Sequence, residues 1–213
     1  MSSSLLGTPR MCTGMTALVC VGAFLRLYNI DEVPLWQDEY ATRWLVGEHS
    51  FAETIRRVWS VHPISPFYFI LTKLSTSLLG LNIVGLRLPS FIFGLLCIVL
   101  TGHLAKTLFQ SRFAGFLCAT VTAVHYLAMW HSINARPYAL AHFCVLLSVY
   151  AYFKFLDTHG RQPLFYILSS AATFYAHYLF APIVLIQNIH FFWQKGHDGA
   201  DHRVGTRRSP PSG

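Results

Sequence analysis

Two adjacent carboxylates, Asp38 and Glu39, are the first side chains in this 213-residue sequence that could carry chemistry. A carboxylate held near a hydroxyl group can remove its proton as a general base. Neighbouring side chains on a helix point about 100° apart, so one carboxylate can face a pocket while the other holds a cation or a neighbouring loop. The alternative is structural: Asp38 is then the N-cap of a helix over 39–46 that stops at Gly47.

A single arginine in the polar segment 131–138 is the second candidate. The guanidinium of Arg136 could bind a phosphate through two parallel N–H groups. The alternative is that Arg136 pairs with a lipid headgroup or caps the preceding helix. The eleven histidines show no HExxH or similar metal-binding spacing. Among them we single out His177, which is followed by Tyr178 at the end of an apolar run.

Apolar helices are the elements that must position these residues. The sequence is 54% hydrophobic and only 12% charged, whereas an ordinary soluble domain carries about 25% charged residues. The apolar residues also come in long runs, which predicts an all-α, polytopic helical membrane protein whose surroundings are the lipid bilayer. This composition excludes a soluble enzyme, a disordered chain and a nucleic-acid-binding module.

Charge decides which of the apolar runs cross the membrane. The runs cover 11–27, 66–81, 88–109, 113–130, 138–156, 163–178 and 179–193. If 66–81 does not span, nine of the sixteen Lys and Arg residues fall on one side in short connections and the tail, as the positive-inside rule requires. If it spans, the basic connections after it lie outside. The sequence therefore predicts six transmembrane helices with both termini cytoplasmic.

A first outer loop over 29–87 follows from this topology. Within it, 66–81 is predicted to be a helix at the outer interface, with Lys73 extending to the headgroups. A second amphipathic helix is predicted to begin at a capping box in which Ser50 is the N-cap and Glu53 reaches back to it. Such helices lie along a membrane surface.

The same topology brings the candidate residues to one face of the membrane. The loop 29–87, the turn 131–137 and the turn at His177 all fall on the outer side. We expect one membrane module over 1–194. The remaining segment, 195–213, is basic and rich in Gly, Ser and Pro, and is expected to be a disordered tail.

A series of short motifs runs along the chain in a fixed order. They are Trp36-Gln37-Asp38-Glu39, His62-Pro63, Pro66-Phe67-Tyr68-Phe69, Leu86-Arg87-Leu88-Pro89-Ser90, Ala135-Arg136-Pro137-Tyr138 and Ala176-His177-Tyr178. This series resembles the N-terminal module of membrane glycosyltransferases of the GT-C class. It is most similar to the bacterial RgtA/B/C/D-like group, which is related to the dolichyl- and polyprenyl-phosphate-sugar mannosyltransferases, and the resemblance extends over about residues 20–190.

The resemblance implies an inverting enzyme that transfers a sugar from a polyprenyl-phosphate carrier to an acceptor hydroxyl, on the outer face of a bacterial inner membrane. It implies that Asp38 is the general base and that Glu39 is its supporting acid or binds the acceptor. It places Arg136 near the carrier phosphate. The further substrate-binding candidates are Asn134, Tyr138, His177 and His62, the last of which matches the histidine of the family's His-Pro-Pro motif.

Two departures from the family pattern bear on cofactors and partners. Ile133-Asn134 stands where the family carries an acidic residue before Ala-Arg, so dependence on a divalent metal stays open and no metal ligand is assigned. The chain is also shorter than the enzymes it resembles, so a partner subunit could supply further spans. The alternative function is a non-catalytic or truncated membrane protein of the same fold that binds lipid phosphate or pairs with another subunit.

Overall fold

The chain folds into helices throughout the part that the structure describes. The computed structural model describes residues 9–28, 30–47, 49–61, 65–158, 161 and 163–205, and no strand occurs among them. Their helices are α1 (Pro9–Leu27), α2 (Gln37–Val46), α3 (Phe51–Val61), α4 (Phe67–Leu79), α5 (Ile83–Leu108), α6 (Arg112–Val124), α7 (Tyr126–Ser132), α8 (Tyr138–Asp157), α9 (Pro163–Ala176) and α10 (Ala181–Gly205), with a short 3-10 turn at Tyr178–Phe180. The prediction of an all-α protein is confirmed. Helix α10 continues past residue 195, where the sequence predicts the start of a disordered tail.

Two of the described helices, α5 and α8, are long and apolar enough to cross a membrane. The pair α6 and α7 makes a third candidate, bent by 62° at the break between them. Helix α9 has 14 residues, which reach about 21 Å and fall short of a hydrocarbon core of about 30 Å. The prediction of a membrane protein is therefore confirmed, whereas the prediction of six spans is not.

Arg26 near the end of α1 binds the break between α6 and α7. Because the backbone is extended at His125, the last carbonyl groups of α6 have no partner in the helix. The buried Arg26 guanidinium donates to two of them, from Nη1 to Ala123 O at 2.9 Å and from Nη2 to Thr122 O at 3.4 Å. A cation at a helix C-terminus also meets the negative end of the helix dipole. This contact fixes the bend and joins α1 to it.

Helix α5 is the element around which α4, α6, α7 and α8 pack. Small residues allow two of these approaches. A Cβ added at Gly94 would lie 2.5 Å from Ser132 Cβ, at the end of α7, and one added at Gly102 would lie 3.1 Å from Gly115 O on α6. Close backbone approach at small residues is typical of helix packing in membranes. It brings the end of α7, and the turn after it, against α5.

A hydrophobic core joins helices that are distant in the sequence. Its buried members come from α2, α3, α4, α5, the turn before α8, α8 itself and α9. They are Leu45, Val46, Val58, Tyr68, Phe69, Leu86, Ala135, Leu140, Ala141, Cys144 and Ala176. The core therefore fixes α2 relative to the turn that carries Arg136.

The start of α3 confirms half of the predicted capping box. The Glu53 backbone N–H donates to Ser50 Oγ at 3.2 Å, so Ser50 is the N-cap of α3. The Glu53 carboxylate instead accepts from Arg56 and Arg57, at 2.8–2.9 Å. Hydrogen bonds from Arg56 and then Arg57 lower the pKa of Glu53 to about 2. The two arginines outcompete the backbone because they bring positive charge as well as donors.

The prediction for Lys73 is wrong. Its side chain is buried, and Nζ donates to Gly47 O at 2.6 Å instead of extending to lipid headgroups. Gly47 is the C-cap of α2, where carbonyl groups lack helical partners and the helix dipole is negative. Lys73 thus compensates its burial by stabilising the end of α2 and joining that helix to α4.

The contact between Gly94 and Ser132 predicts the effect of one added methyl group. We expect Gly94→Ala to destabilise the protein by about 1–3 kcal/mol, because the new Cβ would overlap Ser132 and push α7 away from α5. Thermal unfolding of the purified protein in detergent measures this. Gly14→Ala is the matched control, since its Cβ would meet only Phe116, at an ordinary 3.8 Å. Equal unfolding midpoints for the two variants would contradict the packing described here.

Candidate functional site

Glu39 is a fully buried carboxylate with donors on both oxygens. Arg87 donates to it twice, from Nε to Oε1 at 2.9 Å and from Nη2 to Oε2 at 2.7 Å. Two backbone N–H groups complete the set: Ala135 donates to Oε1 at 2.7 Å and Trp36 to Oε2 at 3.0 Å. The exposed fraction of Glu39 is 0%. Its carboxylate therefore binds α2 to α5 and to the turn before α8.

Arg87 is equally well satisfied. Besides Glu39, it donates to the carbonyl oxygens of Ile30 at 2.6 Å, Val33 at 3.1 Å and Pro34 at 3.3 Å. All five N–H groups of a guanidinium are thus used. The residue holds the segment between α1 and α2 in place. In the sequence Arg87 lies at the start of an apolar run, and the need of a buried acid for a cation is the signal that could have identified it.

The pKa of Glu39 lies below its ordinary value. Burial by itself would raise it, but the hydrogen bonds from Arg87, Ala135 and Trp36 and the charge of Arg87 outweigh burial. Glu39 is therefore a carboxylate anion whose lone pairs already have donors. Of the two adjacent acids, Glu39 is therefore the one that binds a cation, Arg87, in the interior.

Asp38 is the acid that faces outward. Helix α2 begins at Gln37 with Trp36 as its N-cap, so the structural interpretation of Asp38 as the N-cap is wrong. The Asp38 side chain is 52% exposed, and its Oδ2 lies 3.6 Å from Arg136 Nη2. The pair lines one small cavity of about 170 Å³, whose other lining residues are Trp36, Trp130, Asn134 and Tyr138.

Arg136 reaches this cavity from the turn between α7 and α8. Its side chain is 20% exposed, and the buried Nε has no hydrogen-bond partner. The guanidinium carbon lies 5.9 Å from the ring centre of Tyr138. The Arg136 carbonyl accepts from Ser90 Oγ at 3.1 Å, and Asn134 Nδ2 donates to Trp130 O at 2.8 Å. The backbone of the turn is therefore fixed while the guanidinium keeps a free donor.

His177 lies beside the cavity without lining it. Its ring centre is 5.7 Å from that of Tyr138, and Nδ1 accepts from Leu179 N at 3.4 Å. Burial, and then the charge of Arg136, lowers the pKa of His177, so the neutral ring is favoured behind Tyr138. The structure thus brings Asp38, Asn134, Arg136 and Tyr138 together around one cavity, and His177 contacts Tyr138 outside it. His62 lies outside the described residues.

The donor set of the cavity does not fit a divalent metal. Asp38 is the only carboxylate among its lining residues, and the cation Arg136 is beside it. Glu39, the neighbouring acid, already accepts four hydrogen bonds. No group of three or more His, Cys, Asp and Glu side chains that could hold a metal occurs within the described part of the chain.

Comparison with known families identifies the kind of protein that carries this site. Residues 61–197, more than half of the chain, match the family described as dolichyl-phosphate-mannose-protein mannosyltransferase. The chain belongs to this family. The resemblance to GT-C membrane glycosyltransferases is thereby confirmed, and the family implies a lipid-linked sugar donor and a membrane setting. No curated protein and no solved structure shows a significant match.

The family match covers only part of the cavity. It includes the lining residues Trp130, Asn134, Arg136 and Tyr138, and it begins after Trp36 and Asp38. Helix α2, which carries Asp38, lies outside the matched range. The structure connects it to that range, because Ala135 and Arg87 both donate hydrogen bonds to Glu39.

Stability should depend on the protonation of Glu39. Its pKa is lower in the folded chain than the unfolded value of about 4.3, so the unfolded chain takes up the proton first. The resulting stability is fully present above that value and is lost as pH falls through the folded pKa. We expect the unfolding midpoint in detergent to fall steeply below about pH 5. Glu39→Gln should start from a lower midpoint and show a flatter decline.

Glu53→Gln is the matched control for this pH dependence. Glu53 also pairs with two arginines, but the pair is at the surface, where ion pairs contribute little to stability. This variant should retain most of the decline seen in the wild type. A Glu39→Gln protein that lost stability as steeply as the wild type would show that the buried pair is not the titrating group.

Proposed function

We propose that the protein transfers a sugar from a polyprenyl-phosphate carrier to an acceptor hydroxyl, with Asp38 as the general base. The observation that carries the proposal is the juxtaposition of Asp38 and Arg136, whose Oδ2 and Nη2 lie 3.6 Å apart on the wall of one cavity. The family supports it, since its name describes mannose transfer from a dolichyl phosphate. Carrier-linked mannose is therefore the first donor to test.

The reaction needs one base and one cation. The acceptor O–H proton moves to the Asp38 carboxylate as the acceptor oxygen forms a bond to the anomeric carbon of the sugar. The bond from that carbon to the phosphate oxygen breaks, and its electron pair leaves with the carrier phosphate. A single displacement of this kind inverts the anomeric centre. Glycoside hydrolases, by contrast, use two carboxylates that flank the bond.

The chemical states of the two side chains suit these roles. A phosphate leaving group needs little protonation, and the charge that it develops is stabilised by a cation such as Arg136. The free Nε of Arg136 can join its terminal nitrogens in binding phosphate oxygens. Asp38 is half-exposed, so the proton that it accepts can pass to water. Glu39, bound to Arg87, holds the backbone next to Asp38 and has no role in the proton transfer.

The orientation in the membrane is part of the proposal. The charge distribution favours a cytoplasmic position for the basic connections, such as those at Lys106 and Lys154. The cavity lies at the opposite ends of α5 and α8, since Arg87 is near the start of α5 and Tyr138 begins α8. We infer a site on the outer face of a bacterial inner membrane, in a module over 1–194 that acts alone or with a partner subunit.

A non-catalytic protein of the same fold is the second candidate. One observation favours it: Asn134 stands where the family pattern has an acid, and its amide is bonded to the Trp130 carbonyl. Such a protein would use Arg136 to bind the carrier phosphate without transferring the sugar. The two candidates differ in transfer and agree in binding.

Asp38→Asn should separate base catalysis from binding. We expect transfer of mannose from dolichyl-phosphate mannose by the protein in lipid nanodiscs to fall by about 10²–10⁴-fold, the usual contribution of a general base. Donor binding should be retained. Asp31→Asn is the control, since Asp31 is an exposed acid of the same loop that does not line the cavity. Transfer by Asp38→Asn at the rate of the wild-type protein would refute the assignment of Asp38 as the base. No transfer by the wild type, with donor binding intact, would favour the non-catalytic candidate.

Arg136→Gln should weaken binding of the carrier phosphate itself. Hydrogen bonds to a charged group are worth about 1.5–3 kcal/mol, so we expect roughly 10–100-fold weaker binding of dolichyl phosphate. Arg136→Lys should recover part of it, because lysine restores the charge without the planar fork. Arg56→Gln removes a strongly exposed arginine of α3 and serves as the control. Unchanged binding in Arg136→Gln would exclude this residue as the phosphate ligand.

A further inference from the structure

Two tryptophans form the aromatic wall of the cavity that contains Asp38 and Arg136. The rings of Trp36 and Trp130 meet edge to face, with centres 6.3 Å apart and planes at 86°. Tyr126 stacks on Trp130 at 6.2 Å and 21°. Trp130 is thus held between two aromatic neighbours. The wall joins the segment before α2 to helix α7.

Trp36 combines a fixed backbone with an exposed indole. The backbone N–H of Trp36 donates to Glu39 Oε2 at 3.0 Å, and its backbone carbonyl accepts from Glu39 N at 2.8 Å. The side chain nevertheless remains 57% exposed. The buried Glu39–Arg87 pair therefore holds an indole at the mouth of the cavity, where it is available to a ligand.

The proposed reaction determines what must lie against this wall. The anomeric carbon has to sit between the hydroxyl that Asp38 activates and the phosphate that Arg136 binds. The sugar ring extends from that carbon, and both reacting groups line the cavity shared with the two indoles. At about 170 Å³, the cavity is well below the roughly 300–1,000 Å³ typical of drug-sized ligand pockets. Its size suits one sugar ring.

We propose that the exposed indole of Trp36, supported edge to face by Trp130, is a stacking platform for the transferred sugar and distinguishes a sugar-bearing carrier from the bare carrier phosphate. This inference rests on the proposed function. The C–H groups on one face of a pyranose ring carry partial positive charge and pack on the negative face of an aromatic ring. Hydroxyl groups at the ring edge would meet the polar side chains of Asn134 and Asp38.

The competing explanation is a membrane contact. Trp36, the N-cap of α2, is followed at intervals of four residues by Tyr40 and Trp44 in that helix, and all three are more than half exposed. Aromatic residues often gather at membrane interfaces. Trp44 differs from Trp36 in one respect that matters here, because Trp44 does not line the cavity. Trp44 is thus the matched control for an exposed indole on the same helix.

The test compares binding of two ligands to the full-length chain in nanodiscs. The ligands are dolichyl-phosphate mannose and dolichyl phosphate, and the variants are Trp36→Ala, Trp36→Phe and Trp44→Ala. We expect Trp36→Ala to bind the sugar-bearing donor about tenfold more weakly, the factor that corresponds to one aromatic contact. Dolichyl phosphate should bind as it does to the wild type. Trp36→Phe should lose less, and Trp44→Ala should be unchanged.

Three outcomes would overturn the platform. In the first, Trp36→Ala weakens the binding of both ligands equally. In the second, Trp36→Ala and Trp44→Ala have equal effects on donor binding. In the third, Trp36→Ala binds the donor as the wild type does. The first two would indicate a contact with the carrier or the membrane. Thermal unfolding of each variant identifies any loss of fold, and Trp36→Phe provides a milder substitution for that case.

This binding test can fail or succeed separately from the proposed function. If Asp38→Asn transfers as the wild type does, the base assignment fails, while a sugar-selective loss in Trp36→Ala would still establish the platform. If Asp38→Asn abolishes transfer and Trp36→Ala binds the donor normally, the catalytic proposal stands and the platform does not.

Discussion

The buried ion pair between Glu39 and Arg87 is the interaction on which the rest of the site depends. Removing two charges from water is costly, and such a pair is tolerated only when hydrogen bonds satisfy both groups. Here the carboxylate accepts four hydrogen bonds and the guanidinium uses all five N–H groups. Removing one partner of such a pair lowers the free energy of unfolding by about 3–5 kcal/mol. The pair therefore gives the site one strongly preferred arrangement of α2, α5 and the turn before α8.

That arrangement explains why the outward-facing groups meet. Ala135 N–H donates a hydrogen bond to Glu39 in the interior, and the residues adjacent to this pair, Asp38 and Arg136, meet at the cavity. A bond between two buried neighbours thus sets the distance between two exposed side chains. The same bond network includes the backbone of Trp36, so the aromatic wall is positioned by it too. One internal interaction therefore positions the Asp38 carboxylate, the Arg136 guanidinium and the Trp36 indole.

The sequence predicts the opposite orientations of Asp38 and Glu39, but it does not identify the distant partners that fix the site. Adjacent acids on a helix point apart, which predicts that one faces a pocket and the other a cation, and the charge pattern groups the outer turns. Neither argument identifies Arg87 or the Ala135 N–H, because these partners lie 48 and 96 residues from Glu39. Hydropathy likewise shows one run over 113–130, whereas the bend at His125 depends on carbonyl groups that the distant Arg26 binds. The sequence predicts that α2 stops at Gly47, but not that Lys73 binds the carbonyl there, because the two residues lie 26 positions apart.

Three arginines of the described chain show how satisfaction of hydrogen bonds separates structure from function. Arg87 has no donor left, so it can only hold the fold. Arg26 is buried at the α6 break, and although its Nε lacks a partner, it does not line the cavity that contains Asp38. Arg136 alone of the three combines an unpartnered Nε with access to a cavity that also contains a carboxylate. A buried donor without a partner carries a free-energy penalty, and the phosphate proposed to bind at Arg136 would remove it. Arg136, whose hydrogen bonds the fold leaves incomplete, is therefore the one of the three that is best suited to bind an anion.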